Sequence, residues 1–469
     1  MNRFALRCFV AGLLSALLVV TAGTAQAAFV TWDADGATAG QADGAGAWLG
    51  TGLWWNGFAN VDWASGDDAT FGVGGTGGAV TLASPTTLNS LTFNSFSDTY
   101  TLGTAGQAIA LNNGITMNSG AGAVSIISPV TLGTGQTWLN GSTSLLTVSG
   151  DVANGTNLLT IDGTGNTTLS GILGNGSGGL TKSGAGTLIL SGANTHTGTT
   201  TISAGTLSVG VTANLGAAAS NLVFDGGRLQ ITGTTLTNFS GIGHTVSFST
   251  GKTVGLDINN AANTFTVDQA LNQGTGGFTK AGAGTVILAS ANTYTGATTI
   301  GAGTIKLGNT SAISTSASVT VNSGGTLDIN GVTASVLQVL GSGTVTNTGG
   351  AATLTINGNG HTCPAVFTGA NLSLTIAKSG QTFTLTGNST YGGATRIGLP
   401  SHPTTVKLGV NNALPIGGAV TVDASNVAKL DLNGFDQTVG SLSLGSNNGT
   451  NQGIVTGSGT SKLTVTGGG

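Results

Sequence analysis

Residues 178–210 read GGLTKSGAGTLILSGANTHTGTTTISAGTLSVG, and residues 276–308 read GGFTKAGAGTVILASANTYTGATTIGAGTIKLG. The two align without a gap. An eroded third copy, 376–408, begins near Lys378 as KSG-QTFTLTGNSTYGGATRI. Lys182, Lys280 and Lys378 stand at a constant spacing of 98 residues. A long fixed period with repeated turn glycines constrains the chain to an array in which each unit stacks on the one before.

The unit spells its own secondary structure. Thr187-Leu-Ile-Leu190, Thr200-Thr-Ile202 and Thr206-Leu-Ser-Val209 are short runs of Thr, Leu, Ile and Val bounded by Gly, Asn or Ser. Such runs are strands, and the Gly/Asn clusters are their turns. No window beyond the N-terminus carries an apolar i, i+3, i+4, i+7 stripe, so helix is not expected. Turns recur too often for long hairpins. The reading is all-β: a right-handed parallel β-helix with Leu188, Ile202, Leu207, Val286, Ile300 and Ile305 pointing inward.

The pattern G-L-T-K-x-G-x-G-T-L-x-L-x-x-x-N-T-Y-T-G-x-T-T-I-x-x-G-T-L resembles the autotransporter-associated β-strand repeat of bacterial passenger proteins. Residues 178–210 and 276–308 match it nearly throughout, with His196 where the second copy has Tyr294. The resemblance implies a structural and export element, not a catalytic one. It also implies a C-terminal barrel translocator in self-exporting members. None is read before Gly469, so the expectation is a fragment of a longer reading frame or export by another route.

Residues 1–27 read as a signal peptide. Arg3 and Arg7 precede an apolar run, and Ala25-Gln26-Ala27 offers small residues for cleavage at Ala27/Ala28. The apolar run is short of the ~20 residues a span needs, and no later segment reads as a transmembrane helix. This implies a secreted or cell-surface, outer-membrane-associated location. Cys363 is then the one cysteine of the mature chain. No internal disulfide can form, and the thiol reads as a small buried hydrophobe.

Residues 28–78 differ in character from the rest of the mature chain. Trp32, Trp48, Trp54, Trp55 and Trp63 all lie there. The first coil of a solenoid has an open apolar end and an unpaired edge, and a Trp-rich leader is what would cover them. The competing reading is an aromatic platform for sugar rings. Residues 79–177 carry strands without the sharp repeat, and 178–469 divide into three super-units. Each super-unit carries a second landmark, at Gly227–Ile231, Thr326–Asn330 and Lys429–Asn433.

Charge narrows the function. The protein has no glutamate, and all its sixteen acids are aspartates. No Lys or Arg occurs between Ala28 and Thr181. A basic nucleic-acid footprint is therefore missing, and no nucleic-acid partner is expected. Polysaccharide-cutting β-helices need clustered carboxylates. The candidates are Asp33 with Asp35, sharing a strand face; Asp67 with Asp68, on opposite faces; and Asp431 with Asp436, flanking a turn. Each reads more simply as a turn aspartate bonded to nearby backbone. His196, His244, His361 and His402 are scattered, and no zinc or hydrolase motif occurs. Asp33-Ala-Asp35-Gly36 and Asp43-Gly44 offer oxygens to a hard cation, but EF-hand spacing is missing. Lys182 and Lys280 read as solvated edge charges.

No catalytic, cofactor-binding or metal residue is assigned, and no cofactor or enzymatic activity is expected. The expected function is a secreted or surface stalk whose repeats act in export and present an adhesive or matrix surface. Its expected partners are export machinery and a surface glycan or matrix component. The alternative is a carbohydrate-binding or polysaccharide-degrading β-helix.

Overall fold

Alternation of Thr or Ser with Leu, Ile or Val puts one face of each short run inward and the other toward water. The computed structural model describes residues 27–36, 40–218, 220–424, 427–447 and 451–467, and there this alternation becomes a parallel β-solenoid of about 18 turns. Strands such as Leu91–Phe93, Ile109–Leu111 and Ile115–Met117 share one pattern: buried, half-buried, buried. Among the described residues the helical elements are two 3₁₀ turns, Thr212–Leu215 and Ser240–Ile242. None is long and apolar enough to cross a membrane. The signal-peptide reading over residues 1–26 lies outside the described residues.

Equivalent positions stack in parallel and in register. One inward column runs Leu91, Ile115, Trp138, Ile161, Lys182, Ile202, Phe224 and Phe248. Leu188 stacks on Leu207, and Val286 on Ile305. All six residues expected inside, Leu188, Ile202, Leu207, Val286, Ile300 and Ile305, are fully buried. At ~4.8 Å per rung, the stack is roughly 85 Å long.

Early coils use three faces: a 12-stranded sheet, a 14-stranded sheet and a five-stranded sheet that ends at Leu173–Gly174. The two clear repeats then occupy different sheets. Leu180–Lys182 joins the 12-stranded sheet, whereas its counterpart Phe278–Ala281 joins the 14-stranded one. The change of phase falls between Thr245–Phe248, which ends the first sheet, and Thr264–Val267, which starts a new one. Phe224, Phe239, Phe248 and Phe265 fill this junction, with neighbouring ring centroids 5.0–5.9 Å apart. Bulky rings here cover the ends of the sheets that the phase change interrupts.

The N-terminal end is closed by chain of a different kind. Phe29–Trp32 pairs in parallel with Asp68–Phe71, the first true rung. On its other side it pairs antiparallel with Trp54–Trp55, which in turn pairs antiparallel with Asn60–Val61. This hairpin replaces the missing earlier coil. Beneath it Trp32, Trp48 and Trp54 are fully buried and pack on Phe71 at 5.5–5.8 Å. The indole of Trp32 donates to Gly44 O at 3.0 Å, and that of Trp54 to Trp48 O at 2.9 Å. Asp43 fastens the leader to the first coil: its carboxylate accepts the N–H groups of Gly72, Val73 and Gly75 and the hydroxyl of Tyr100 at 2.7–3.1 Å. Burial beside that carboxylate pushes the Tyr100 hydroxyl above its ordinary range.

Candidate functional site: the corner shared by the repeats

The residues that define the repeat meet where one coil turns. In the second copy Lys280 extends inward from its strand and is fully buried. Its ammonium donates to Ala281 O at 2.6 Å, Gly282 O at 2.7 Å and Ala302 O at 3.2 Å, the last one coil further on. Lys182 does the same toward Ser183 O and Gly184 O. Gly184 and Gly282 have φ of +66° and +74°, which L side chains rarely adopt, and this turns their carbonyls onto the ammonium. Burial depresses both lysines to about 8, opposed by Asp162 and Asp257 respectively. The expectation of solvated edge charges therefore fails. A strand with apolar neighbours above and below points its lysine inward, and two carbonyls at Lys182 and three at Lys280 satisfy the ammonium there.

The third copy departs. Leu374 pairs with Thr395 and Ile376 with Ile397, as Leu180 pairs with Thr200 and Lys182 with Ile202. Ile376, fully buried, thus fills the lysine position, while Lys378 is exposed beyond the strand. The constant lysine spacing is a true feature of the sequence, but its third member is not equivalent in space.

Asn194 and Asn292 clasp three coils. Asn292 Oδ1 accepts Leu271 N–H at 2.8 Å, and its Nδ2 donates to Ala312 O at 2.7 Å. Asn194 joins Leu173 N–H to Asn214 O in the same way. At 3–5% exposure, these amides stand in for the ladder that the five-stranded sheet supplies in earlier coils. In the third copy Ser389 keeps the accepting half, toward Phe367 N–H at 3.3 Å, but its hydroxyl has no second arm to the following coil. A crevice of about 410 Å³ between Tyr391 and Ile416 lies at that place.

Two residues after the asparagine, a ring fills the corner. Tyr294 and Tyr391 place Oη 2.6 Å from Thr298 and Thr395 Oγ1. His196 reproduces the contact, with Nε2 2.9 Å from Thr200 Oγ1. All three rings are buried. Burial lowers the His196 pKa below its ordinary value and pushes the Tyr294 hydroxyl up to about 12.

The acidic candidates disperse. Asp33 and Asp35 follow the first strand instead of sharing its face; Asp33 is buried and Asp35 exposed. Asp67 and Asp68 are both buried: Asp67 accepts Ala28 N–H at 3.0 Å, and Asp68 accepts Asn89 and Ser90 side chains. Asp431 accepts Asn433 N–H at 3.0 Å and faces Lys407 at 3.7 Å. Asp436 accepts Lys462 N–H at 2.7 Å. Asp67, Asp68, Asp431 and Asp436 are thus occupied by nearby chain, as turn or corner aspartates are. The Asp431 pair has counterparts. Lys306 and Asp328 lie 3.3 Å apart at the same place in the second copy, and Ser208 and Gln230 make a 2.8 Å hydrogen bond there in the first.

Cys363 is buried as expected, and burial raises its thiol to about 12, which keeps it protonated. Of the tryptophans expected to form either a cap or a sugar platform, Trp54 is buried and Trp55, its neighbour on the opposite strand face, is half-buried. Trp32, Trp48, Trp54 and Trp63 spend their faces on one another, with Trp–Trp centroids 4.8–5.3 Å apart. Sequence reasoning found the lysines, the asparagines and His196 as repeated letters. It missed the asparagine clasp, because a repeated letter does not show that its side chain bridges to the coils on either side.

Comparison with known proteins agrees with this corner. The profile of the Passenger-associated-transport-repeat matches residues 180–209, 278–307 and 379–398. The third match falls inside the eroded copy. Over 220 residues the chain is 35% identical to the adhesin BmaC autotransporter of Brucella suis biovar 1 (strain 1330). That alignment takes in 43% of this chain and 6% of the adhesin, so the chain spans a small part of its relative's length. No solved structure matches. The chain thus carries three matches to the passenger-associated-transport-repeat profile, and the first two fall on the corner that the repeat's own signature residues build.

Proposed function

We propose that the chain is a secreted or cell-surface stalk whose repeats drive coil-by-coil folding during export and whose outer face adheres to a matrix or glycan partner. The observation that carries the reading is the clasp. The residues that identify the repeat serve to join consecutive coils, and none of them is presented to solvent as a reactive group. A passenger that crosses an outer membrane unfolded gains from local, nearest-neighbour folding, because each added coil is stabilised by the one already formed. The relative named an adhesin supports the adhesive half of the proposal. Export machinery would be the first partner met and the surface ligand the second. Asp328, Asp423 and Asp431 are paired with Lys306, Arg396 and Lys407, which favours a non-enzymatic role.

The test is made on the native bacterium. Protease shaving of intact cells should release fragments of this chain, and the purified chain should bind immobilised matrix proteins or a glycan array. Deleting residues 276–308 should lower the surface amount without abolishing synthesis. Retention of the full chain inside intact cells would refute the surface stalk, and absence of binding across both panels would refute adhesion.

A further inference from the structure

Asp33 is 1% exposed, and neither of its carboxylate oxygens has a hydrogen-bond partner. Leaving an ionised carboxylate buried and unpaired is among the costliest arrangements a protein can hold. The usual remedy is a basic neighbour. The leader cannot supply one, since no Lys, Arg or His occurs between Ala28 and Thr181. The polar groups gathered here carry no positive charge. Asp35 faces Asp33 as a second negative charge, and the Asn60 amide and the Asp35 N–H are the neutral groups turned toward it. Asn60 Oδ1 is likewise buried without a partner. Gly52 lies between Asn60 and Gly36: a side chain there would meet Asn60 Cβ and Gly36 O, both at 3.9 Å, and none is present.

Two carboxylates, an amide oxygen and a main-chain carbonyl, without nitrogen or sulfur donors, form the ligand set of a hard cation. We propose that Asp33, Asp35 and Asn60, with Gly36 O, form a divalent-cation site of calcium type in the N-terminal cap, and that the bound ion locks the Trp hairpin over the first coil. The site sits beside Trp32 and at the end of the strand that the hairpin covers. Asp43, which the sequence groups with Asp33, takes no part, because its oxygens are already held by three backbone N–H groups and Tyr100. With no ion, the remaining way to neutralise Asp33 is a proton, and burial, with the Asp35 charge beside it, raises its pKa from the ordinary value. The cation and the proton are thus alternative answers to one buried charge.

The experiment uses the mature chain with terbium and calcium chlorides as probes. Terbium bound beside Trp32 should emit when tryptophan is excited, and calcium should displace it. Calcium should also raise the midpoint of the N-terminal unfolding transition relative to EDTA, by a shift that grows with the logarithm of its concentration. Asp33→Asn should lose both effects, and Asp268→Asn, far along the solenoid, should keep both. Absence of sensitised emission and of any calcium shift in the parent protein would overturn the proposal. So would emission unchanged in Asp33→Asn. Because the first result is read on the unmutated chain, the test stands even if Asp33→Asn folds poorly.

Discussion

Asn292 Nδ2 lies 2.7 Å from Ala312 O, while Oδ1 of the same side chain holds Leu271 N–H at 2.8 Å. One amide thus spans the coil before it and the coil after it. The Lys280 ammonium closes the neighbouring turn, and the Tyr294 ring fills the space beneath. Together they turn a sequence signature into an inter-coil joint.

The lysine of that joint sets a pH dependence. Its folded pKa, about 8, is below the unfolded value of 10.5. Between those values the unfolded chain binds more protons, so stability rises with pH across the window. Urea unfolding from pH 8 to 10 should show this rise, and Lys280→Met should remove the part due to this residue while Lys182 keeps its own. At pH 7 the substitution should change stability by less than about 1.5 kcal/mol, since it conserves volume and relieves a buried charge while freeing three carbonyls. A pH slope unaltered in a Lys182→Met, Lys280→Met double variant would contradict the assignment.

His196 offers the opposite end of the scale. Burial holds its ring neutral, with a folded pKa below 6.5. As pH falls through 6.5 the unfolded chain takes up the proton first, and stability is lost. His196→Tyr supplies the hydroxyl that Tyr294 and Tyr391 already place against a threonine. The variant should fold and be less sensitive to mild acid, as read by thermal unfolding between pH 5 and 7.

The two adjacent tryptophans of the hairpin should separate cleanly. Trp54→Ala removes a fully buried ring from the aromatic cluster, at a cost of about 3–5 kcal/mol confined to the N-terminal coils. Trp55→Ala, on the other face, should cost under about 1 kcal/mol. Differential scanning calorimetry resolves the two. Loss of glycan binding in Trp55→Ala with unchanged stability would revive a sugar-binding role for that half-buried ring.

Much of this architecture is legible in the sequence, for a physical reason. Alternation of Thr with Leu, Ile or Val reports directly which face is buried, so the pattern alone places Leu188, Ile202 and their counterparts inside. Lys182 and Lys280 defeat that reading, because alternation marks a position as inward and a charge argues against it. What decides the matter is a ring of carbonyls that only the folded turn brings together. Lys378 shows the converse: at a perfect spacing in sequence it lies two residues past Ile376, which takes the inward place, and so it stands in solvent beyond the strand. The buried carboxylate of Asp33 is visible as a letter but not as a problem, since its burial depends on a hairpin of irregular sequence.

The most direct measurement is amide hydrogen exchange, compared between the parent chain and Asn292→Ala. Truncation leaves Leu271 N–H and Ala312 O buried without partners, each costing about 1–3 kcal/mol. In a solenoid held together by neighbour contacts, protection should fall in the coils flanking residues 271–312 and remain at parent levels in the N-terminal cap and the distal coils. Unchanged protection at Leu271, or a uniform loss along the whole chain, would contradict the account of the repeat as a local clasp between coils.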